Sequence, residues 1–187
     1  MKNHSPIHDS GRIALISAAI GAGVALAGAL GRKLLVQAPT TFAGDWDDAL
    51  AFEHQAARKL FDALGSTPDR AKTKRRFLLM QLKHALGRHA LEEENAIYPA
   101  MRDAGMKTQA DELNADHGYV KQYLYQLSDL IADNAGFQTK LGEFRAHIEK
   151  HMREEEDNLF PALKAKLADS EVAQLTRRMN QEGIKLA

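Results

Sequence analysis

There is no cysteine among the 187 residues. That absence excludes disulfides, zinc–thiolate sites and iron–sulfur clusters, so any metal must be held by nitrogen and oxygen ligands. Neither sign of charge dominates, because 25 basic side chains offset 25 acidic ones, and no overall field draws the chain toward nucleic acid or an acidic partner. Proline is scarce, and strand-like runs of Val, Ile and Thr are missing, as expected of an all-helical protein. The length suits one ordinary domain with an appendage. What the chain does contain is eight histidines, and one phrase written twice.

That phrase is HALEEENAIYPAM at 89–101 and HMREEEDNLFPAL at 151–163. Positions 89 and 151 are 62 apart, as are 93 and 155, and 99 and 161. Upstream of each copy stands another histidine that follows an acid and lies four residues after a leucine: His54 after Glu53 and Leu50, His117 after Asp116 and Leu113. The chain therefore reads as two copies of a helical hairpin.

From Asp45 onward the apolar residues recur with a period near 3.6. Trp46, Leu50, Ala57, Phe61 and Leu64 form one stripe, closed by Gly65-Ser66. A second helix is expected to start at Thr67-Pro68 and to carry Leu78, Leu82, Leu86, Ala96 and Ala100 as far as Gly105. A third runs from about Thr108 to Asn134 on Leu113, Val120, Leu124, Leu127 and Ile131. A fourth runs roughly from Gln138 to Leu167 on Phe144, Ile148, Leu159 and Ala162. Asp169-Ser170 caps a short C-terminal helix reaching Gly183. Short connections between long amphipathic helices make antiparallel neighbours, hence an all-α, up-down-up-down four-helix bundle. The expected divisions are an N-terminal segment and linker at 1–40, the bundle at 41–168 and the C-terminal helix at 169–187.

Residues 13–31, IALISAAIGAGVALAGALG, are a different material. They carry no charge and are flanked by Arg12 and by Arg32-Lys33. Such an apolar Gly/Ala helix is long enough for a membrane span, and its glycines would allow close helix contact. Association or oligomerisation without crossing a bilayer, or removal as a signal peptide, are alternative readings.

Each of the four stripes aims one histidine at the bundle interior: His54, His89, His117 and His151. Glu93 and Glu155 follow the second and fourth at i+4, the spacing that sets side chains side by side on a helix. Burying two carboxylates among four imidazoles is costly unless something is bound. A pair of metal ions removes that cost by accepting all six groups, and a pair with approximate twofold symmetry needs each ligand set twice. Nitrogen and carboxylate ligands suit iron or manganese, with zinc less favoured. Glu94 and Glu156 read as a solvated face, His84 as exposed, and His4 and His8 as bystanders. His147 lies one turn before His151 on nearly the same face.

The pattern His…His-x-x-x-Glu…His…His-x-x-x-Glu, with EEENAIYPAM and EEEDNLFPAL, resembles the hemerythrin superfamily, in particular its HHE cation-binding branch, over about residues 45–167. The resemblance implies two non-haem iron ions in a four-helix bundle. His54 and His89 would serve one ion and His117 and His151 the other, with Glu93, Glu155 and an oxo or hydroxo group between them. It further implies binding of, or reaction with, dioxygen, nitric oxide or peroxide in redox or stress sensing and protection on the cytoplasmic side. The alternatives are an iron-responsive or iron-holding module without catalysis, and a membrane-tethered bundle whose metal is a staple. Oxygen carriers of this family have a histidine four residues after the third-helix ligand, where this chain has Lys121. Their last carboxylate is an aspartate at a longer spacing, where this chain has Glu155. One ion therefore lacks a histidine, and His147, Glu154, a tyrosine such as Tyr119 or Tyr125, or water would complete it. No general acid, substrate pocket or reductant site is legible, and no Glu-x-x-His or His-Glu-x-x-His pair points to a ferritin-like or zinc-protease site.

Overall fold

The computed structural model describes residues 44–186; the apolar stretch 13–31, the 1–40 division, His4 and His8 lie outside them. The described residues are helical, without a strand. In chain order they form α1 (Trp46–Gly65), α2 (Lys72–Glu92), a π-helical turn (Glu93–Ile97), α3 (Tyr98–Asp103) and α4 (Lys107–Asp129). A 3₁₀ turn (Leu130–Ala132), α5 (Asn134–Glu154), a second π turn (Glu155–Leu159), α6 (Phe160–Lys164) and α7 (Asp169–Leu186) follow. Among them no helix is long and apolar enough to cross a membrane.

Two buried apolar clusters fill the bundle, and a polar layer separates them. One is built on Trp46, Leu50, Ile97, Met101, Leu113 and Phe160, the other on Phe61, Leu82, Leu86, Leu124, Phe144 and Ile148. Along α1 the chain passes from the first cluster at Leu50, through His54, to the second at Ala57. Along α2 and the π turn after it the chain returns from Leu86 through His89 and Glu93 to Ala96, and α4, then α5 with its π turn, repeat the excursion through His117 and through His151 and Glu155. The helix α7 covers the first cluster with Val172, Leu175 and Met179, and Thr176 Oγ1 accepts the Trp46 N–H at 3.0 Å. Arg75, fully buried, closes the other end. It donates to Thr67 Oγ1 at 3.1 Å, to the Ile131 carbonyl at 3.2 Å and to Asn134 Oδ1, and its guanidinium stacks on Phe137.

The π turns correct the expected stripes. Beyond Glu155 the buried residues are Phe160 and Leu163, not Leu159 and Ala162, and beyond Glu93 Met101 is buried where Ala100 was expected. Each shift is one residue, the extra residue of an i→i+5 turn. Pro99 and Pro161 account for both: each lacks the N–H that an unbroken α-helix needs at that position, and its ring crowds the carbonyl four residues back.

Other boundaries also move. Thr67 belongs to the turn instead of the helix, with its hydroxyl on the Leu64 carbonyl at 2.7 Å, and α2 begins at Lys72. Leu79 takes the core position expected for Leu78, which is half-buried. The third helix stops before Asn134, because the Asp133 carboxylate accepts the Gly136 N–H and caps α5 there. At α7 the cap carboxylate is Glu171, accepting the Ala168 N–H at 2.8 Å, and the helix runs to Leu186.

Candidate metal centre

All six residues expected to face inward meet in the layer between the two clusters, and every one is buried. Ligand-type atoms of His54, His89, Glu93 and Glu155 lie within 4.8 Å of one another, and so do those of Glu93, His117 and His151. The two carboxylates span both groups. Glu93 Oε1 is 3.3 Å from His89 Nε2, while its Oε2 is 3.3 Å from His117 Nε2. Glu155 Oε2 is 3.5 Å from His54 Nε2, while its Oε1 is 3.3 Å from His151 Nε2. Each carboxylate thus offers one oxygen to each histidine pair.

Four further carboxylates stand behind the imidazoles. Glu156 Oε1 is 2.7 Å from His54 Nδ1, Glu53 Oε2 is 2.9 Å from His89 Nδ1, Glu94 Oε1 is 2.8 Å from His117 Nδ1, and Asp116 Oδ2 is 3.4 Å from His151 Nδ1. An ionised carboxylate only accepts, so each Nδ1 carries a proton and Nε2 is the atom left for a ligand. This corrects the reading of Glu94 and Glu156 as a solvated face; the triple-glutamate run interleaves an inner carboxylate with one that orients a histidine on another helix. Glu53 and Asp116 were noted only as acids preceding a histidine. Their targets, His89 and His151, lie on the next helix, which local spacing does not reveal.

Tyr98 is the other residue that the sequence reading missed. Fully buried, its hydroxyl lies 3.1 Å from Glu93 Oε2, 3.1 Å from His117 Nε2 and 3.2 Å from Glu155 Oε1. On an unbroken α-helix five residues turn about 140° past a full circle, so Tyr98 would point away from Glu93. The π turn closes in five and sets it over Glu93 instead. The equivalent position in the second copy is Phe160, stacked 6.3 Å from His54 without a hydroxyl. The residues expected to replace the missing histidine are elsewhere. His147 stands between Tyr119 and Tyr123 with Nε2 4.0 Å from Asp116 Oδ1. Tyr119 and Tyr125 are exposed, and Glu154 receives Asn158 Nδ2 at the surface.

The two halves are unequal behind the histidines as well. Glu53 is only 4 % exposed and takes a 2.6 Å hydrogen bond from Arg88, whereas Asp116 is 39 % exposed. His151 is therefore held more loosely than His89.

The imidazoles and carboxylates of this cluster shift one another's protonation. Burial disfavours a charged imidazole, yet the Glu93 charge and the Glu53 hydrogen bond raise His89 well above its ordinary value. Burial would lower His151 too, but the Glu155 charge and hydrogen bond bring it up to about 9. Burial would raise Glu93, but His89 and His117 hold it well below the usual carboxylate range. Protons thus occupy the ligand nitrogens of His89 and His151 at neutral pH. Three buried atoms of the cluster, Glu93 Oε1, Glu155 Oε2 and His151 Nε2, make no hydrogen bond, and such atoms normally have a partner, water or an ion. The donor set fits a metal.

Known proteins give the same answer. The sequence matches the hemerythrin HHE cation binding domain over residues 47–163. This chain belongs to that family. It is 31% identical over 90 residues to an uncharacterized hemerythrin-like protein of Schizosaccharomyces pombe, covering 46% of this chain and 44% of that one. It is 25% identical over 127 residues to a DNA nickase of Nostoc sp., covering 68% of this chain and 36% of that one. The chain therefore spans less than half the length of these curated relatives. No solved structure matches.

A binding reaction that displaces protons depends on pH. With His89 and His151 both protonated at neutral pH, loading this HHE domain with two divalent ions is expected to release about two protons, so the apparent affinity for the pair falls about a hundredfold per pH unit lowered. Metal titrations in weak buffer, followed by a pH electrode, measure the release. Uptake with no proton release would contradict this protonation of the histidines.

Proposed function

We propose that this HHE domain is an up-down-up-down four-helix bundle holding two non-haem iron ions, and that it binds or reacts with dioxygen, nitric oxide or peroxide in redox or stress sensing and protection. The observation that carries the reading is the span of Glu93 and Glu155, each with one oxygen toward each histidine pair. His54 and His89 would hold one ion, His117 and His151 the other. The Tyr98 hydroxyl would complete the second, in the place of the histidine that Lys121 replaces. The family resemblance favours iron over manganese or zinc, since imidazole and carboxylate ligands by themselves suit all three. When bound, the pair would supply electrons and an open coordination position to a small ligand.

The chain's own groups do the rest. Glu53, Glu94, Asp116 and Glu156 orient the imidazoles, and the apolar clusters above and below exclude water. The balanced charge supports no nucleic-acid partner, so the nickase relative's activity is not carried over. A place in the cytoplasm or on the cytoplasmic face of a membrane, with association or oligomerisation through 13–31, belongs to the same proposal.

The test is the optical spectrum of the full chain loaded with ferrous iron without oxygen and then opened to air. New near-ultraviolet and visible charge-transfer bands are expected, and Tyr98→Phe should remove the part that comes from a phenolate on ferric iron. Bound iron without new bands would instead support an iron-holding module, which the unpartnered buried atoms also favour. Failure to bind iron would end both readings.

A further inference from the structure

Between α2, α4 and α5 lies a cavity of about 230 Å³. Its walls are Leu86, Ala90, Leu91, Val120, Ile148 and Met152, and it reaches His89, His117 and His151. The lining residues exposed to solvent are Gly87 on α2 and Lys121 on α4, which places the mouth between those helices. Lys121 Nζ lies 3.7 Å from Glu94 Oε1 there. A side chain at Gly87 would meet open space, with nothing within 4 Å of its Cβ.

Size and lining decide what such a chamber can hold. A diatomic molecule is no larger than about one or two waters, and this volume corresponds to roughly seven or eight water shares of the liquid. A cavity of about 150 Å³ with Leu, Ile and Phe walls stays dry and accepts benzene, and this one is larger. The apolar walls carry no charge, and each imidazole at the inner end already faces carboxylates, His89 with Glu53 and Glu93, His117 with Glu93 and Glu94, His151 with Asp116 and Glu155. A further interior charge would find no partner of its own and is strongly disfavoured. The two charged groups at the mouth already face each other. Small-molecule sites are commonly built in this way, apolar walls leading to a few convergent polar groups.

We propose that this chamber is the binding site for a small uncharged organic molecule with an apolar body of about six to eight carbon atoms, held between α2, α4 and α5 against His89, His117 and His151. The role of those histidines as a reactive floor rests on the two-metal reading; occupation of the chamber does not.

The probe is benzene, titrated into the full chain with and without bound iron and followed by amide chemical shifts. Saturable one-to-one binding is expected, with shifts confined to residues 86–91, 120–121 and 148–152. Gly87→Leu, which places a side chain across the mouth, should weaken benzene at least tenfold while leaving metal content and melting unchanged; Ala90→Leu is the second filling variant. Benzoate should bind at least tenfold more weakly than benzene. Scattered or non-saturating shifts, or binding that neither variant weakens, would overturn the site, and equal binding of benzoate would overturn the uncharged class. Local benzene binding by a chain that takes up no iron would keep the chamber and remove the metal reading instead.

Discussion

Glu93→Ala is expected to empty both metal positions at once, taking the content from about two ions per chain to fewer than about 0.2. The size of the effect follows from geometry. Glu93 presents one oxygen beside His89 and the other beside His117, so its removal takes a ligand from each position. His54→Ala, by contrast, strips only the first position and should leave about one ion. Glu94→Gln keeps every inner ligand but loosens His117, and should weaken binding about 10–100-fold without abolishing it. Because Glu93 also compensates two imidazoles in the metal-free protein, truncation can cost about 3–5 kcal/mol of stability. Glu93→Gln, which keeps the volume, is therefore measured beside it, with circular dichroism to check folding and elemental analysis to count metal. Two ions retained by either folded variant would refute the bridging assignment.

The inner residues were legible in the sequence because a histidine on an apolar stripe, repeated four times, leaves few places for the side chains to go. His54, His89, His117 and His151 sit on straight portions of α-helix, where counting by 3.6 works. Tyr98 was not legible, since its place depends on a π turn that changes the count by one. The cause was nevertheless in the text: Pro99 and Pro161 stand six residues after Glu93 and Glu155, where a proline in mid-helix forces the preceding turn to widen. The same slip moved the stripe from Leu159 and Ala162 to Phe160 and Leu163.

The supporting carboxylates were hidden for a different reason. Glu156 reaches from the π turn after α5 to His54 on α1, and Glu94 from the π turn after α2 to His117 on α4. Local periodicity assigns a face to a residue but names no partner on another helix. Their environment supports the structural assignment. Burial would push the Glu156 carboxyl up, but hydrogen bonds from His54 and Arg58 pull it down to about 2, so it remains an acceptor throughout the working range. Buried Glu92 goes the other way, to about 9, raised by desolvation and by the Glu53 charge. Of the three glutamates in the first copy of the phrase, one is buried and keeps its proton, one faces both histidine pairs, and one orients a histidine across the bundle.

Removing each metal ion is expected to lower the melting temperature by roughly 8–16 °C at neutral pH. An ion present at a thousand times its dissociation constant stabilises the fold by about 4 kcal/mol, and for a chain of this size each kcal/mol moves the midpoint by about 2–4 °C. The difference should also widen with pH. In the metal-free protein the lowered value of Glu93 contributes stability above the ordinary carboxylate value of 4.5, and that contribution is lost as pH falls. The raised histidines act in the opposite direction: theirs is fully present below the ordinary value of 6.5 and is lost as pH rises through their raised values, about 9 for His151. The metal-free form is thus favoured between about pH 4.5 and 6.5 by these groups. The loaded form gains from rising pH, because fewer protons compete for the ligand nitrogens. Melting curves of chelated and iron-loaded protein at pH 6, 7 and 8 measure the gap, and a gap that stays constant or narrows would mean that the buried histidines do not exchange protons for metal.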